Sequence, residues 1–263
     1  MNLTSIVLNL RYFAVVFLLL LTGCTSTVTQ SVHLKYGNPS RANNNPNNYL
    51  IAKPEYAISY NCKTGIANWA SWQLDRSWLG DIRRSDNFMP NAELPADCYA
   101  VRPRDYTGSN YDRGHLVPSG DRTGSRINNE STFMMTNVIP QSPSNNREVW
   151  RELEEYSRNL AYRGKELYIV AGGKGIAKKI ASSKVVVPKY TWKVILILDD
   201  GDEITTDKAS TIAVWMPNSE SVRNTDWQEY VVSVDRVEQE TGYNFFANLP
   251  KRVQRQIEKV SYQ

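Results

Sequence analysis

A chain of 263 residues can build one large domain or two small ones. Its hydrophobic fraction of 41%, with 7 Trp and 15 Tyr, supplies a real core and excludes a wholly disordered chain. The 31 basic and 27 acidic residues leave a formal charge of +4, a mild excess that suits a polyanionic partner but equally a solvated surface.

The first 26 residues, "MNLTSIVLNLRYFAVVFLLLLTGCTS", are a different material. One positive charge, Arg11, precedes an apolar run from Tyr12 to Leu21 that is short for a transmembrane helix and has the layout of a secretory signal. The ending "LTGC" resembles a bacterial lipoprotein cleavage box. That resemblance implies a signal peptide at residues 1–23, cleavage before Cys24, lipidation of its thiol and, with Thr25 following, sorting to the outer membrane or cell surface. The alternative is an ordinary signal peptide with a chance cysteine, and a secreted product. Export into an oxidising compartment would leave Cys62 and Cys98 to form a disulfide or to remain two buried thiols. A bond between them would contribute roughly 3–4 kcal/mol through loop closure.

After Cys24 the chain stays polar. "NPSRANNNPNNY" is rich in Asn and Pro without a period, so residues 24–48 read as a tether and residues 49–263 as one domain. "YAISY" and "NWASWQL" read as strands, with Cys62 and Gly65 in the connection. "FMMTNVIPQ" (Phe133 to Gln141) is a second kind of apolar run, following a polar loop. "NREVWRELEEYSRNL" (Asn146 to Leu160) is the clearest helix, with Asn145 and Glu148 as a capping pair. "KELYIVAGG", "KYTWKVILILDD" and "STIAVWMP" read as buried strands. Ser233 caps "VDRVEQET", Gly242 ends it, and "PKRVQRQIEKV" forms a last basic helix. The pattern predicts an α+β fold around a central antiparallel or mixed sheet with flanking helices.

"YDRGHLVPSGDR" raises the question of chemistry. His115 is one of two histidines, and the other, His33, falls in the polar N-terminal stretch. Asp112, Arg113 and Gly114 precede His115, and Pro118, Ser119 and Gly120 end the strand after it. Asn146, Trp150, Glu154 and Arg158 recur every four residues, a slowly drifting stripe on one helix face. Asn146 and Glu154 are separated by about 12 Å along an ideal axis, too far to grip one small ion directly together. The Asn146 carbonyl on a metal, with Glu154 acting through water, suits a hard ion such as Mg²⁺. The plainer reading of the stripe is a solvated face with a Glu154–Arg158 ion pair.

"YDRGH", "FMMTNVIPQ" and "NNREVWRELEEYSR" together resemble the DNA/RNA non-specific endonucleases, sugar-nonspecific nucleases of the ββα-metal (His-Me finger) type. The similarity extends over roughly Tyr49 to Ile257, with secreted bacterial members the nearest in character. It implies His115 as general base, Asn146 as direct Mg²⁺ ligand and Glu154 as the acid that orients the ion's water shell, with Mn²⁺ as a substitute ion. Arg113 matches a residue shaping the site, Arg84 and Arg158 match arginines that hold phosphate, and Asn137 matches a positioning residue. Only Asn146, not Asn145, keeps the spacing to Trp150, and the spacing to Phe88 favours Arg84 over Arg83.

The implied activity is hydrolysis of DNA and RNA, single- and double-stranded, leaving 5′-phosphates. A site addressing phosphate and sugar reads little sequence. Expected partners are therefore nucleic acid and, through the lipid anchor, the membrane; a proteinaceous nuclease inhibitor is a further candidate. The competing readings are a non-catalytic nucleic-acid-binding lipoprotein, a phosphodiesterase for another ester, and a serine hydrolase. The last lacks a Gly-x-Ser-x-Gly elbow around Ser119.

Overall fold

An antiparallel sheet organises the chain, as seen in a computed structural model that describes residues 31–199 and 209–259. In chain order the strands are β1 (Tyr49–Ala52), β2 (Ala57–Asn61), β3 (Ile66–Leu74), β4 (Asp112–His115), β5 (Val138–Gln141) and β6 (Lys165–Lys174). They continue as β7 (Lys178–Ile180), β8 (Val185–Val187), β9 (Tyr190–Asp199), β10 (Ala209–Pro217) and β11 (Val231–Val232). Seven of them pair in the order β1-β2-β3-β6-β9-β10-β11, each neighbour antiparallel. β4 with β5, and β7 with β8, form separate hairpin-like pairs.

The near-continuous apolar run of β9 is explained by cover on both faces of the sheet. Side chains alternate along a strand, so Ile195 and Ile197 face one way and Val194, Leu196 and Leu198 the other. The first set packs with Leu167, Ile169 and Val214 against Trp150, Leu153 and Ala161 of helix α2 (Trp150–Tyr162), which follows α1 (Arg126–Ser131). The second set packs with Tyr168 and Val170 against α3 (Val234–Thr241) and α4 (Lys251–Ile257), through Val234, Val237, Val253 and Ile257. Each such side chain, fully buried, contributes roughly 1.5–3 kcal/mol of transfer free energy. The fold is therefore α+β in three layers, with α2 on one face of the sheet and α3 and α4 on the other.

Helix ends follow local chemistry. Ser233 caps α3 by accepting from the Arg236 amide at 3.2 Å, and Gly242 closes it at φ +76°. The helix read from Asn146 begins instead as a π-helical turn, Asn145–Val149, and becomes α only at Trp150. The expected Asn145–Glu148 capping pair does not form. Asn145 is buried among polar partners of its own, and Glu148 accepts from the Asn224 amide at 2.9 Å. Likewise only Val138–Gln141 of the run "FMMTNVIPQ" is strand, because Met135–Asn137 makes a 3-10 turn.

The described part of the expected tether is folded onto the sheet. Several of its side chains satisfy backbone and neighbouring groups. Asn38 Oδ1 accepts from the Ala42 amide at 2.8 Å, and Ser40 Oγ donates to Asn48 Oδ1 while accepting from Trp69 Nε1 at 2.8 Å. His33, 2% exposed, accepts at Nδ1 from the Gln73 amide (3.1 Å), so its Nε2–H donates to Pro54 O (2.8 Å). Acceptance at Nδ1 requires the neutral ring, and burial, opposed by the bond to Pro54, lowers its pKa to about 4. Composition resembled a linker because Asn-rich turns and Asn-rich linkers have the same composition. Residues 24–30, the signal peptide at 1–23 and Cys24 lie outside the described residues.

Cys62, just after β2, is bonded to Cys98 in the long connection between β3 and β4, with Cα atoms 4.9 Å apart and a sequence separation of 36. That connection carries Arg84 and Phe88 toward the site described below, so the crosslink steadies a stretch with little secondary structure. Replacing both cysteines by serine is expected to lower the unfolding free energy by about 2–4 kcal/mol. Urea denaturation of the oxidised protein beside the double variant measures this.

Candidate active site

β4 carries the Asp-Arg-Gly-His sequence and pairs with β5 in the register Asp112↔Gln141, Arg113↔Pro140, Gly114↔Ile139 and His115↔Val138. Gly114 is needed for a close approach: a Cβ there would lie 1.8 Å from Gln141 Oε1. Gln141 Nε2 donates in turn to Asn145 Oδ1 at 2.6 Å, and Asn145 Nδ2 donates to Thr191 Oγ1 at 3.0 Å and Pro217 O at 3.1 Å. Asn145 thus bolts the start of the helix to β9 and β10. It is fully occupied by that task, which leaves Asn146 for the site.

Asn146 Nδ2 donates to Asp112 Oδ2 at 2.9 Å, and Arg147 grips both oxygens of Asp112 at 2.6 and 2.7 Å. Burial alone would raise the Asp112 pKa, but the Arg147 and Asn146 hydrogen bonds outweigh it and hold the carboxylate below its usual range. With its amide nitrogen committed to Asp112, Asn146 has its carbonyl oxygen left for a ligand.

His115 stands against Phe88 and Phe133, with ring centroids at 5.2 and 4.9 Å. The same two rings carry arginines: the Arg113 guanidinium lies 4.4 Å from Phe88 and that of Arg84 4.9 Å from Phe133. Burial, then the charges of Arg84 and Arg113, lower the His115 pKa to about 3. Its Nε2 is buried without a hydrogen-bond partner. The imidazole is therefore neutral across the physiological range, as a base must be before it acts.

His115, Arg84, Arg113, Asn146, Glu154 and Arg158 all line one cavity of about 560 Å³. Asn137 is the exception among the expected site residues. It is fully buried, with Oδ1 accepting from the Val117 amide and Nδ2 donating to Val117 O and Thr132 O, all at 2.9 Å. It holds the chain beyond His115 and acts on the site only through that backbone. Ser119 lies on the wall, where its Oγ accepts from Arg84 Nη1 at 3.2 Å, so Arg84 faces this cavity. Arg83 lines a neighbouring hollow of about 250 Å³, whose wall Arg84 shares.

Glu154 and Arg158 do not form a simple solvated face. Arg158 Nη1 pairs at 3.0 Å with Asp121, which is 1% exposed and also accepts from Trp72 Nε1 at 2.9 Å. Lys193 of β9 is 1% exposed, with Nζ 4.1 Å from the centre of the Trp150 ring. Burial pushes the Glu154 carboxyl up to about 7, opposed by the charges of Lys193 and Arg158. Sequence reading had given Asp121 and Lys193 no role. The available signal was the second lysine of "KYTWKVILILDD", Lys193, at a position of inward parity immediately before the apolar run of residues 194–198.

The donors present fit a hard divalent ion. One free amide oxygen and the Glu154 carboxylate face the same cavity, Glu155 on its lining being paired with Arg151, and neither thiolates nor a histidine cluster accompany them among the described residues. Burial raises the Glu154 pKa despite the charges of Lys193 and Arg158, and a nearby divalent cation would favour its ionised form.

An antiparallel strand pair and a helix carrying these side chains into one cavity define a ββα-metal nuclease architecture. The family described as DNA/RNA non-specific endonuclease matches residues 32–252, and the chain belongs to that family. A nuclease from Nostoc sp. is 47% identical over 256 residues, covering 91% of this chain and 93% of the other. Human mitochondrial endonuclease G is 30% identical over 233 residues, covering 83% of this chain and 74% of its own. A solved complex of EndoG with EndoGI contains a chain of the same fold, with a TM-score of 0.73 at 23% identity, covering 84% of this chain and 92% of that one. The protein is accordingly a nuclease.

Lys193 is expected to hold the Glu154 pKa down. In metal-free Lys193→Met protein the Glu154 carboxyl pKa should rise further, by roughly 1 to 3 pH units. Carboxyl ¹³C NMR titration reads this directly, and an unchanged titration would remove Lys193 from the site.

Proposed function

We propose that the protein is a Mg²⁺-dependent, sugar-nonspecific endonuclease of DNA and RNA, with His115 as the general base and products ending in 5′-phosphate. The observation that carries this reading is a buried, neutral His115 on the wall of a cavity lined by five arginines, Arg84, Arg113 and Arg158 among them, and by a free asparagine oxygen.

A phosphodiester is an anion and repels nucleophiles, so its hydrolysis needs charge neutralisation and an activated water. Arg84, Arg113 and Arg158 would hold the phosphate, the planar guanidinium matching two of its oxygens. His115 would take the proton of the attacking water, which displaces the 3′ oxygen and leaves the phosphate on the 5′ side. Asn146, with Glu154 behind it, would hold the divalent ion, which when bound supplies positive charge near the scissile phosphate. Mn²⁺ would serve the same oxygen donors. These groups address phosphate, and none supplies a pattern for reading base edges, which supports action on single and double strands of either sugar.

The decisive experiment is digestion of supercoiled plasmid and of single-stranded RNA, with Mg²⁺ or with EDTA. Wild type is expected to cut both, only with the metal. His115→Ala should lose about 10²–10⁴-fold in kcat, the usual worth of a general base. Asn146→Ala should lose the response to Mg²⁺. Activity surviving His115→Ala would send the base elsewhere. Because the pKa of His115 is depressed from 6.5 to about 3, protonation through pH 6.5 should not silence it. In metal-free protein its ring resonances should stay those of the neutral form down to about pH 5.

We also propose export and lipid anchoring at Cys24, supported by the sequence "LTGC" and by a Cys62–Cys98 bond suited to an oxidising compartment. Cys24→Ala should move the protein from the membrane to the soluble fraction and abolish labelling by radioactive palmitate. Retention in the membrane fraction would exclude the anchor. A proteinaceous inhibitor facing the arginine-lined cavity is a further expected partner, since this surface favours acidic side chains.

A further inference from the structure

The face of the sheet turned away from the cavity carries three carboxylates in close array. Asp235 and Glu238 lie on α3 and Glu258 just beyond α4, each with a carboxylate oxygen within 4.8 Å of the other two. It is the one grouping of this kind among the described residues. Backbone bonds fix the arrangement: the Asp235 amide donates to Glu258 O at 3.0 Å, and Thr211 Oγ1 donates to Ile257 O at 2.6 Å.

Acidic side chains that meet at a surface are usually solvated and need no ligand. Glu258 is different, being only 7% exposed, with Oε1 buried and without a hydrogen-bond partner. An unpaired buried carboxylate is costly unless a proton or a cation compensates it. The charge of Lys251 favours the ionised forms of Glu238 and Glu258, but neither it nor Arg236 hydrogen-bonds to the three carboxylates. Arg236 pairs with Glu240 at 2.5 Å, and Lys251 Nζ donates to Gln254 Oε1 at 3.0 Å. Glu238 commits Oε1 to the Phe245 amide at 2.7 Å and keeps its second oxygen.

We propose that Asp235, Glu238 and Glu258 form a calcium site that ties the end of α4 to α3, independent of the catalytic cavity. The chemistry favours Ca²⁺ over Mg²⁺. Ca²⁺ binds oxygens at about 2.3–2.6 Å in irregular shells of six to eight, so ligands on opposite sides stand roughly 5 Å apart. Mg²⁺ demands a tighter octahedron and gives up its water reluctantly, which suits it poorly to three protein carboxylates. Binding would neutralise the buried Glu258 charge and lock the C-terminal helix onto the sheet. The ion would act on stability and leave the reaction itself untouched.

The test uses metal-stripped, full-length protein carrying Asn146→Ala, which removes the proposed catalytic ligand so that the two sites cannot be confused. Addition of about 1 mM Ca²⁺ is expected to raise Tm by about 5 °C, for a dissociation constant near 10 µM. The same concentration of Mg²⁺ should do less. Equilibrium dialysis with ⁴⁵Ca should find one ion per chain. Adding Glu258→Gln should abolish both effects. Adding Asp235→Asn, at an exposed position that leaves the core intact, should weaken binding at least tenfold. An absent calcium response, or one that survives Glu258→Gln, overturns the site. So does a Glu258→Gln protein that is more stable than its parent when the parent ignores calcium, since Glu258 is then simply a protonated buried acid.

Discussion

Lys193 places a positive charge in the apolar layer between the sheet and α2, and much of the site is an answer to that charge. A lone ammonium at 1% exposure would be severely destabilising. The Trp150 ring at 4.1 Å and the Glu154 carboxylate share the task of compensating it. Asp121 and Arg158 add a second pair beside the first. The members come from three elements: Lys193 from β9, Trp150, Glu154 and Arg158 from α2, and Asp121 from the turn after β4. Removing any one charged member leaves a charge without its counterpart, so the arrangement ties the seat of α2 on the sheet to one pairing of charges.

A second chain of contacts fixes the other end of the same helix. Gly114 lets Gln141 cross behind the strand, Gln141 holds Asn145, and Asn145 holds β9 and β10. The π-helical turn at Asn145–Val149 belongs to this arrangement. It turns Asn145 inward to the sheet and Asn146 toward Asp112, two consecutive asparagines with opposite tasks. π-turns inside helices are uncommon and often sit where a side chain must be aimed. The two residues are thus separated by their partners, the sheet for Asn145 and Asp112 for Asn146.

Much of this was legible in the sequence because strands buried on both faces read as apolar runs, and "KYTWKVILILDD" has few other interpretations. Ser233 and Gly242 marked the ends of α3 because side-chain and backbone requirements there are local. The site was legible where a residue type is chemically conspicuous: His115 among glycine, arginine and aspartate, and Asn146, Glu154 and Arg158 in step along one helix. Reading failed where meaning depends on distant contacts. The Asn-rich segment is ordered because Trp69 and Asn68 receive it, which no local pattern reveals. His33 seemed incidental in a polar stretch, yet Pro54 and Gln73 bury it. Asp121 and Lys193 are meaningful only as partners, and partnership across 72 residues has no signature in one sequence.

The electrostatics of the cavity suggest how binding and base strength are linked under the proposed reading. Arg84 and Arg113 both disfavour a proton on His115, and burial does so more strongly. A phosphate seated between those arginines would cancel much of their charge, leaving burial as the main restraint. The basicity of His115 would then rise when a substrate is in place. A base of very low pKa is a weak proton acceptor, so a rise toward the working pH strengthens the transfer at the moment it is wanted. The same two arginines would hold the anion and, through their neutralisation by it, make the histidine a better base. Phe88 and Phe133 make this coupling geometric, because the rings that confine the imidazole are the rings on which the arginines rest.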